Sequence, residues 1–400
     1  MAGAGVPGTP RVLRAMNDRA ALDLLLAHGP LTRTRLGELT GLSKPTASQL
    51  LGRLTAAGLV RVTGNVTGRP GPNAQLYEIE PGVAHVAGLA VDEEGITAAV
   101  ADITGAVTGE HRVAAPAVDG RARERTPGLV AEAVDGALSA AGLGRTALRH
   151  TVIGTPGALD PGTGTLRYAP HLPGWHAPGL RAELAALLGT PVVIENDVNL
   201  AALAERHHGA ARDADDYVLL WIDEGVGAAI VLGGRLLRGA TGGAGEVGYM
   251  PLPGAPLARG GPEATIGPDG GGGFQMLVGS SAVVRLARTH GIDAPTAPRA
   301  LALAASTPGA GEDFLAALAA RVATGLAAIV AVVDPALVVL GGEVSRAGGE
   351  RLRELVEGEL TGLALPRPRL RLSGVEGSPI LAGALCGALA AARDTVFDTG

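Results

Sequence analysis

The stretch from Pro191 to Glu205, PVVIENDVNLAALAE, decides the fold of the larger part of this chain. Its first four residues are apolar or β-branched, as in a short buried parallel strand, and its last six have the spacing of a helix. The polar turn between them is expected at the carboxyl end of a sheet, where α/β proteins bind ligands. We therefore expect Asn196, Asp197 and Asn199 to point hydrogen-bonding groups into a crevice. The alternative is that they only cap the helix, which Asn and Asp do well.

Composition restricts the class of protein. Four hundred residues allow two or three domains, and 46% apolar residues with only 2% aromatic ones require a core of Ala, Val and Leu. The single cysteine, Cys386, excludes an internal disulfide and a multi-cysteine zinc cluster. No apolar run approaches the length of a membrane span, and the N-terminus lacks the pattern of a signal peptide. We expect a soluble, cytoplasmic protein that does not contact a membrane.

The net charge of -6 conceals a difference between two parts of the chain. Residues 1–80 contain nine Lys or Arg and five Asp or Glu, whereas residues 81–400 contain 24 basic and 34 acidic residues. A small basic domain before a large acidic one indicates a nucleic-acid-binding module on a body that avoids nucleic acid.

Residues 1–80 have the pattern of a winged helix-turn-helix domain. A helix over 11–29 precedes two short helices capped by Thr32 and Ser43, and then a hairpin around the loop 64–74. A helical bundle used for protein contacts is the alternative, but the basic charge and the basic hairpin tip favour DNA. The second short helix would enter the major groove and the hairpin tip the minor groove, with these candidate DNA-binding residues: Lys44, Thr46, Ser48, Gln49, Arg53 and, at the tip, Arg69.

Residues 81–400 alternate between strands and helices in two similar halves. Each half begins with a meander of strands and continues with a helix, near 127–142 in the first half and at 311–333 in the second. This order indicates the two-lobed α/β fold of actin and the sugar kinases, with a cleft between the lobes. We expect one lobe at roughly 81–200 with 380–400, and the other at 201–379.

Several motifs then resemble one family, the ROK family of repressors, open reading frames and kinases, over essentially the whole chain. A winged helix before such a body is similar to its sugar-responsive repressors. The resemblance rests on these segments: Ile153–Gly157 (IGTPG), Ala169–Trp175 (APHLPGW), Glu195–Asn199 (ENDVN), Gly225–Met250 (GVGAAIVLGGRLLRGATGGAGEVGYM), Pro335–Val344 (PALVVLGGEV) and the closing helix at 379–392.

The resemblance implies a sugar site in the cleft. Members of the family bind a hexose there, and in the kinases the aspartate that matches Asp197 takes the proton from the sugar hydroxyl during transfer from MgATP. A carboxylate at that place can deprotonate a hydroxyl or simply hold it, so Asp197 indicates sugar binding more than catalysis. The ligand-binding residues implied in this chain are His171, Asn196, Asp197, Glu246, Tyr249 and Gln275.

The departures from the family pattern predict that the chain needs no cofactor. The two loops that hold phosphate in the kinases read Asp92–Ile96 (DEEGI) and Asp223–Gly225 (DEG), with carboxylates where a polyphosphate would lie. Two like charges about 4 Å apart repel by roughly 4 kcal/mol at intermediate dielectric, so we expect no ATP binding. Tyr249 replaces the family's zinc histidine and the loop 253–273 has no cysteine, so we also expect no zinc.

Together these features predict a sugar-responsive, DNA-binding transcriptional regulator, with repression as the expected mode, that does not phosphorylate its sugar. The expected partners are double-stranded DNA, a sugar effector and further copies of the chain in a homodimer or homotetramer. Two alternatives remain open: a sugar kinase with a DNA-binding arm, and a regulator without an effector that a protein partner controls. Glu94 and Glu224 disfavour the first, and retention of Asn196, Asp197 and Glu246 disfavours the second.

Overall fold

The chain folds into a winged helix domain followed by two α/β lobes. The computed structural model describes residues 10–66, 74–115, 122–167, 172, 174–257 and 272–399. The DNA-binding candidate Arg69 and the ligand-binding candidate His171 lie outside these described residues.

The N-terminal domain has the predicted winged helix fold. Its three strands form a sheet of order β1-β3-β2, in which β3 pairs antiparallel with both neighbours. Its elements in chain order are α1 (Pro10–His28), β1 (Leu31–Thr32), α2 (Arg33–Thr40), α3 (Lys44–Ala56), β2 (Val60–Val66) and β3 (Ala74–Ile79).

The helix boundaries follow from the capping residues that the sequence indicated. The side chains of Thr32 and Ser43 accept hydrogen bonds from the backbone N–H groups at the starts of α2 and α3. Gly41 ends α2 with φ +71°, a conformation that side chains with a Cβ rarely adopt. Pro45 lies in the first turn of α3, where a missing N–H costs nothing.

The first lobe is built on a five-stranded sheet of order β10-β7-β4-β5-β6. Strands β10, β7 and β4 run parallel, and β4, β5 and β6 form an antiparallel meander. Its elements are β4 (His85–Asp92), β5 (Gly95–Asp102), β6 (Val107–Ala114), α4 (Ala122–Ala140), β7 (Leu148–Thr155), β8 (Ala158–Leu159), β9 (Leu166–Arg167), α5 (Leu180–Leu188), β10 (Val192–Asn196) and α6 (Asp197–His207).

The second lobe repeats this plan with a sheet of order β13-β12-β11-β14-β15. The antiparallel strands β11 and β12 join the parallel strands β14 and β15, as a two-lobed fold requires. The elements are β11 (Tyr217–Ile222), β12 (Val226–Leu232), β13 (Arg235–Leu236), α7 (Gln275–Val278), α8 (Ser280–Thr289), α9 (Ala297–Ala304), α10 (Ala310–Val333), β14 (Leu337–Gly341), α11 (Gly342–Leu363) and β15 (Arg369–Leu372). The last helix, α12 (Pro379–Val396), belongs to the first lobe.

Helix α12 returns the chain to the first lobe and packs along α6. The two backbones come so close that a Cβ on Gly383 would lie 1.9 Å from the carbonyl oxygen of Leu200. The buried residues of α12 belong to the same hydrophobic cluster as the core of the winged helix, which includes Leu22, Leu54 and Ile79. The winged helix is therefore packed onto the body through a continuous apolar core.

Two helices, α10 and α12, are long and apolar enough to cross a membrane by length and composition. The sequence prediction that no apolar run approaches such a length is wrong for them. Both are core helices: α10 buries Phe314, Leu318 and Val322 in the second lobe, and α12 buries Leu381 and Leu385 against the first. Packing inside the protein thus accounts for their apolar character.

Candidate functional site

The polar turn after β10 is held by Asn196, which caps α6. Its side-chain oxygen accepts a hydrogen bond from Asn199 N at 3.0 Å, and its side-chain nitrogen donates to the carbonyl of Gly157 at 2.9 Å. Both ends of this amide are therefore used within the protein. The capping alternative considered from the sequence is the observed role of Asn196.

Asn199 corrects one sequence expectation. It is only 3% exposed, and its Nδ2 donates to Glu195 Oε1 at 2.9 Å instead of pointing into a crevice. The reason is helical geometry, because the third helical residue lies over the end of β10. The other oxygen of Glu195 accepts from Arg238 Nε at 2.7 Å, which ties the first lobe to the loop after β13 of the second lobe.

Asp197 is the residue of this turn whose carboxyl group remains available. It is partly exposed, and its Oδ1 accepts a hydrogen bond from Val198 N at 2.8 Å. Burial, with a smaller contribution from the charge of Asp223, raises the pKa of Asp197 to about 7. At neutral pH this carboxyl can either accept a hydrogen bond from a hydroxyl group or donate one to it.

Glu246 of the second lobe complements Asp197. It precedes the short 3₁₀ helix Val247–Tyr249, and burial together with the charge of Asp197 raises its pKa to about 7. The two carboxyl groups are thus close enough for the charge of Asp197 to act on Glu246. Their joint role in ligand binding stays a prediction. Tyr249 ends the same short helix and is half-buried.

Gln275 has a different position from the one expected of a ligand-binding side chain. Its Oε1 accepts from Val226 N at 2.7 Å and its Nε2 donates to the carbonyl of Glu224 at 2.6 Å. Both ends of the amide thus hold the turn between β11 and β12. The sequence placed Gln275 beside the sugar because its position matches the family pattern. Such a match does not show which way the side chain points.

In the turn between β4 and β5, two backbone N–H groups donate hydrogen bonds to a side chain of the same turn, that of Asp92. Asp92 Oδ1 accepts hydrogen bonds from the N–H groups of Glu94 and Gly95, both at 2.8 Å. The carboxylate of Glu94 pairs with Arg112 at 3.0 Å. This is the first of the two loops that hold phosphate in the kinases of the resembled family.

In the turn between β11 and β12, backbone N–H groups likewise donate hydrogen bonds to side chains of the protein. Asp223 Oδ1 accepts from Glu224 N at 2.9 Å, and the N–H of Val226 is bonded to Gln275. Burial, with a smaller contribution from the charge of Glu343, raises the pKa of Asp223. Beside this turn is a cavity of about 330 Å³ lined by Glu224, Ser280, Ser281, Val284, Arg285, Arg288, Pro295, Thr296 and Ala297.

In the described part of the chain, no group of three or more His, Cys, Asp or Glu side chains could hold a metal ion. Residues 258–271, which form most of the loop that binds zinc in other family members, lie outside that part. The absence of zinc thus stays a prediction.

The recognition helix α3 presents a polar face opposite its apolar one. Lys44, Thr46 and Gln49 are exposed, whereas Ala47, Leu50, Leu51 and Leu54 are buried. Ser48 is half-buried and accepts a hydrogen bond from Arg33 Nη1 of α2 at 3.0 Å. Arg33 was not predicted; a basic residue directly after the Thr32 cap was the available signal.

Arg53 differs from the other residues predicted on α3. Its Nη2 donates to Asp18 Oδ1 of α1 at 2.6 Å, and the Asp18 side chain is buried. The sequence did not indicate this acidic partner, which is 35 residues away and is brought close only by the fold. The Arg53 side chain is still 42% exposed, so its contact with DNA phosphates stays a prediction.

Comparison with known proteins agrees with both parts of the fold. The ROK family matches residues 86–383, and the MarR family matches residues 16–69. The xylose repressor of Caldicellulosiruptor bescii is 27% identical over 245 residues, which are 61% of this chain and 61% of that repressor. The chain therefore spans about three fifths of the length of this relative.

Two solved structures show the same architecture. The ROK hexokinase from Thermus thermophilus is 32% identical, with a TM-score of 0.64 over 78% of this chain and 99% of that enzyme. A ROK family transcriptional regulator, a homologue of the Escherichia coli MLC protein, shares the fold over 97% of this chain and 100% of its own length, with 20% identity and a TM-score of 0.74. From the match over residues 86–383 and the two-lobed fold, this chain belongs to the ROK family.

Proposed function

We propose that this protein is a DNA-binding transcriptional regulator, acting as a repressor, whose kinase-like cleft binds a sugar without phosphorylating it. The observation that carries the proposal is a winged helix packed onto a ROK body in which the two phosphate-loop turns bond their own N–H groups. The body alone is similar to both repressors and kinases, and the winged helix and the two turns support a repressor.

DNA binding is supported by the surface of α3. Exposed Lys44, Thr46 and Gln49 can contact base edges and phosphates when the helix enters the major groove. Arg33 adds a cation beside Ser48 and belongs to this candidate surface. Because a winged helix gains specificity from two related half-sites, we propose a homodimer or homotetramer on DNA.

Sugar binding is supported by the carboxyl groups of Asp197 and Glu246. Each is buried enough to have its pKa raised to about 7, which costs free energy that a hydroxyl-rich ligand can recover by hydrogen bonding. Asn196 supports the site by holding the turn, and Gln275 by holding β12. A regulator without an effector would gain nothing from this arrangement, which disfavours that alternative.

The absence of phosphorylation is supported by the backbone donors. A polyphosphate needs free N–H groups, and at these turns the N–H groups of Glu94, Gly95, Glu224 and Val226 already have partners. The kinase alternative would place a nucleotide near the cavity beside Glu224, where Arg285 and Arg288 supply positive charge. We propose that neither ATP nor zinc is a cofactor and that the protein acts in the cytoplasm.

The DNA part of the proposal is tested with the full chain and a random duplex library. We expect the chain to select a defined sequence, and Gln49→Ala to change the preferred base at one position by about 1–3 kcal/mol. Arg69→Ala should weaken binding to the selected sequence without changing the fold. Selection of no sequence by the wild-type chain would refute DNA recognition.

A further inference from the structure

Asp18, in the middle of α1, is an acidic side chain with 4% of its surface exposed. Its Oδ1 accepts a hydrogen bond from Arg53 Nη2 at 2.6 Å, and its Oδ2 accepts one from Thr399 Oγ1 at 3.2 Å. Arg53 lies on the recognition helix α3, and Thr399 follows the closing helix α12. One buried carboxylate therefore joins three separate parts of the chain.

The next residue, Arg19, strengthens the same junction. Its Nη2 pairs with Asp394 Oδ1 at 3.0 Å, and its Nη1 donates to the carbonyl of Arg393 at 3.3 Å. Its guanidinium group lies over the ring of Phe397, 5.7 Å from the centroid, and Phe397 is fully buried in the shared apolar core. Helix α1 is thus fixed to the last turn of α12 by charge, hydrogen bonds and packing.

The Asp18–Arg53 pair is buried only on the side of Asp18, because the Arg53 side chain is 42% exposed and that of Asp18 5%. Such a pair is a poor way to gain stability, because desolvation of the carboxylate offsets much of the attraction. It does penalise movement, since the buried carboxylate of Asp18 would lose its positively charged partner. If α3 slid along α1, or α1 along α12, the carboxylate of Asp18 would lose Arg53 or Thr399. The arrangement therefore favours one relative orientation of the three helices.

The closing helix also reaches the candidate sugar site. It packs along α6, where Gly383 meets Leu200 in the turn that begins with Asp197. Its other end carries the contacts to Asp18 and Arg19. A displacement of α6 that follows ligand binding at Asp197 can therefore reach α3 through three helix contacts, α6 with α12, α12 with α1 and α1 with α3.

We propose that Asp18 is a positioning residue for DNA recognition, which holds α3 against α12 so that the recognition helix turns with the body. The inference rests on the proposed DNA binding. It assigns to Arg53 an intramolecular role as the partner of Asp18, and it makes residues 393–399 part of the DNA-binding unit.

A double-mutant cycle on the full chain tests this proposal, with a duplex that the wild-type chain selects from a random library. Asp18→Asn keeps the shape of the side chain and removes its charge, and Arg53→Leu removes the partner. We expect each variant to bind the duplex about tenfold more weakly and the double variant to be no weaker than the single ones, as for two residues that act as a unit. Wild-type affinity for Asp18→Asn, or about a hundredfold loss in the double variant, would overturn the proposal.

Two further variants separate positioning from loss of folding. Thr399→Val leaves the ion pair intact; we expect a melting temperature within a few degrees of that of the wild type, faster amide exchange at 393–397, and binding to the duplex about threefold weaker, for loss of one hydrogen bond. Glu38→Gln breaks the exposed pair with Arg35 on α2 and is the matched control, expected to bind as the wild type does. If Thr399→Val left both amide exchange and duplex affinity unchanged, α12 would have no part in positioning α3. A wild-type chain that selects no duplex would instead refute DNA binding itself.

Discussion

In two polar turns of the first lobe, after β4 and after β10, a polar side chain accepts hydrogen bonds from the backbone of its own turn. The two turns differ in which acidic group is left for other partners. In the first, the carboxylate of Asp92 accepts the N–H groups of both Glu94 and Gly95. In the second, the amide of Asn196 accepts one N–H and leaves the carboxyl of Asp197 partly exposed in the cleft. The second turn thus keeps a carboxyl group that can bond to a hydroxyl, whereas the first turn bonds two of its N–H groups within the protein. Asp197 also accepts a backbone N–H, that of Val198, so the two turns differ in the degree to which their own backbone occupies the acidic side chain.

The largest effect is expected from removing the available carboxyl. Asp197→Ala should leave operator binding near the wild-type value without sugar, and should abolish the change that sugar causes. For coupling of typical size, that change is about 5- to 150-fold in operator affinity. Fluorescence anisotropy of a labelled operator, with and without each sugar of a panel, measures it.

The matched control is Asp293→Ala, which removes an exposed carboxylate paired with Arg288 on the surface of the second lobe. It should respond to sugar as the wild type does. If Asp197→Ala still responded at unchanged sugar concentrations, the effector would bind elsewhere and the role given to the second turn would be wrong.

The raised pKa values of Asp197 and Glu246 predict a pH dependence of stability. Both pKa values are about 7 in the folded chain, whereas the same groups titrate near pH 4 when unfolded. The folded protein therefore holds protons that the unfolded chain has released, so the free energy of unfolding should fall as the pH rises from about 4 to about 7. Each group contributes at most about 1.4 kcal/mol per pH unit.

Urea unfolding of the wild type and Asp197→Asn across this range measures the effect. The variant should lose part of the slope, because the neutral amide does not titrate and no longer repels Glu246. Equal slopes in the two proteins would show that Asp197 does not titrate differently on folding. Asp293→Asn again serves as the exposed control.

The smallest effect compares the two turns directly. Asn196→Ala removes a helix cap and should lower the free energy of unfolding by about 1 kcal/mol. Asp92→Ala removes a bond to two N–H groups and should cost a similar amount, about 0.5–1.5 kcal/mol. Only Asn196→Ala should also weaken sugar binding, and calorimetric titration of both variants with the sugar checks it. An equal loss of sugar affinity in both would contradict the division between the turns.

The sequence predicted the fold well because its signals are local or belong to a family pattern. Caps at Thr32 and Ser43 and the strand before Asn196 depend on neighbouring residues, and the structure has them. The orientations of Asn199, Gln275 and Arg53 could not be predicted in this way. Each depends on a partner that only the fold brings near.

Those partners also explain where each of the three side chains points in the structure. Asn199 turns to Glu195 on β10, and Gln275 turns to the backbone of the β11–β12 turn. Arg53 turns to a buried acid on another helix. Polar side chains next to buried donors and acceptors satisfy those groups first, because an unpaired buried group costs about 1–3 kcal/mol.

Calorimetric titration of the full chain with a panel of sugars, with and without ATP, tests the central claim most directly, when ADP release is followed in the same samples. The account predicts that at least one sugar binds without ATP, that ATP adds no heat of binding, and that no sugar-dependent ADP appears even at high protein concentration. Sugar-dependent ADP release that Asp197→Asn abolishes would contradict it and would make the protein a sugar kinase with a DNA-binding arm.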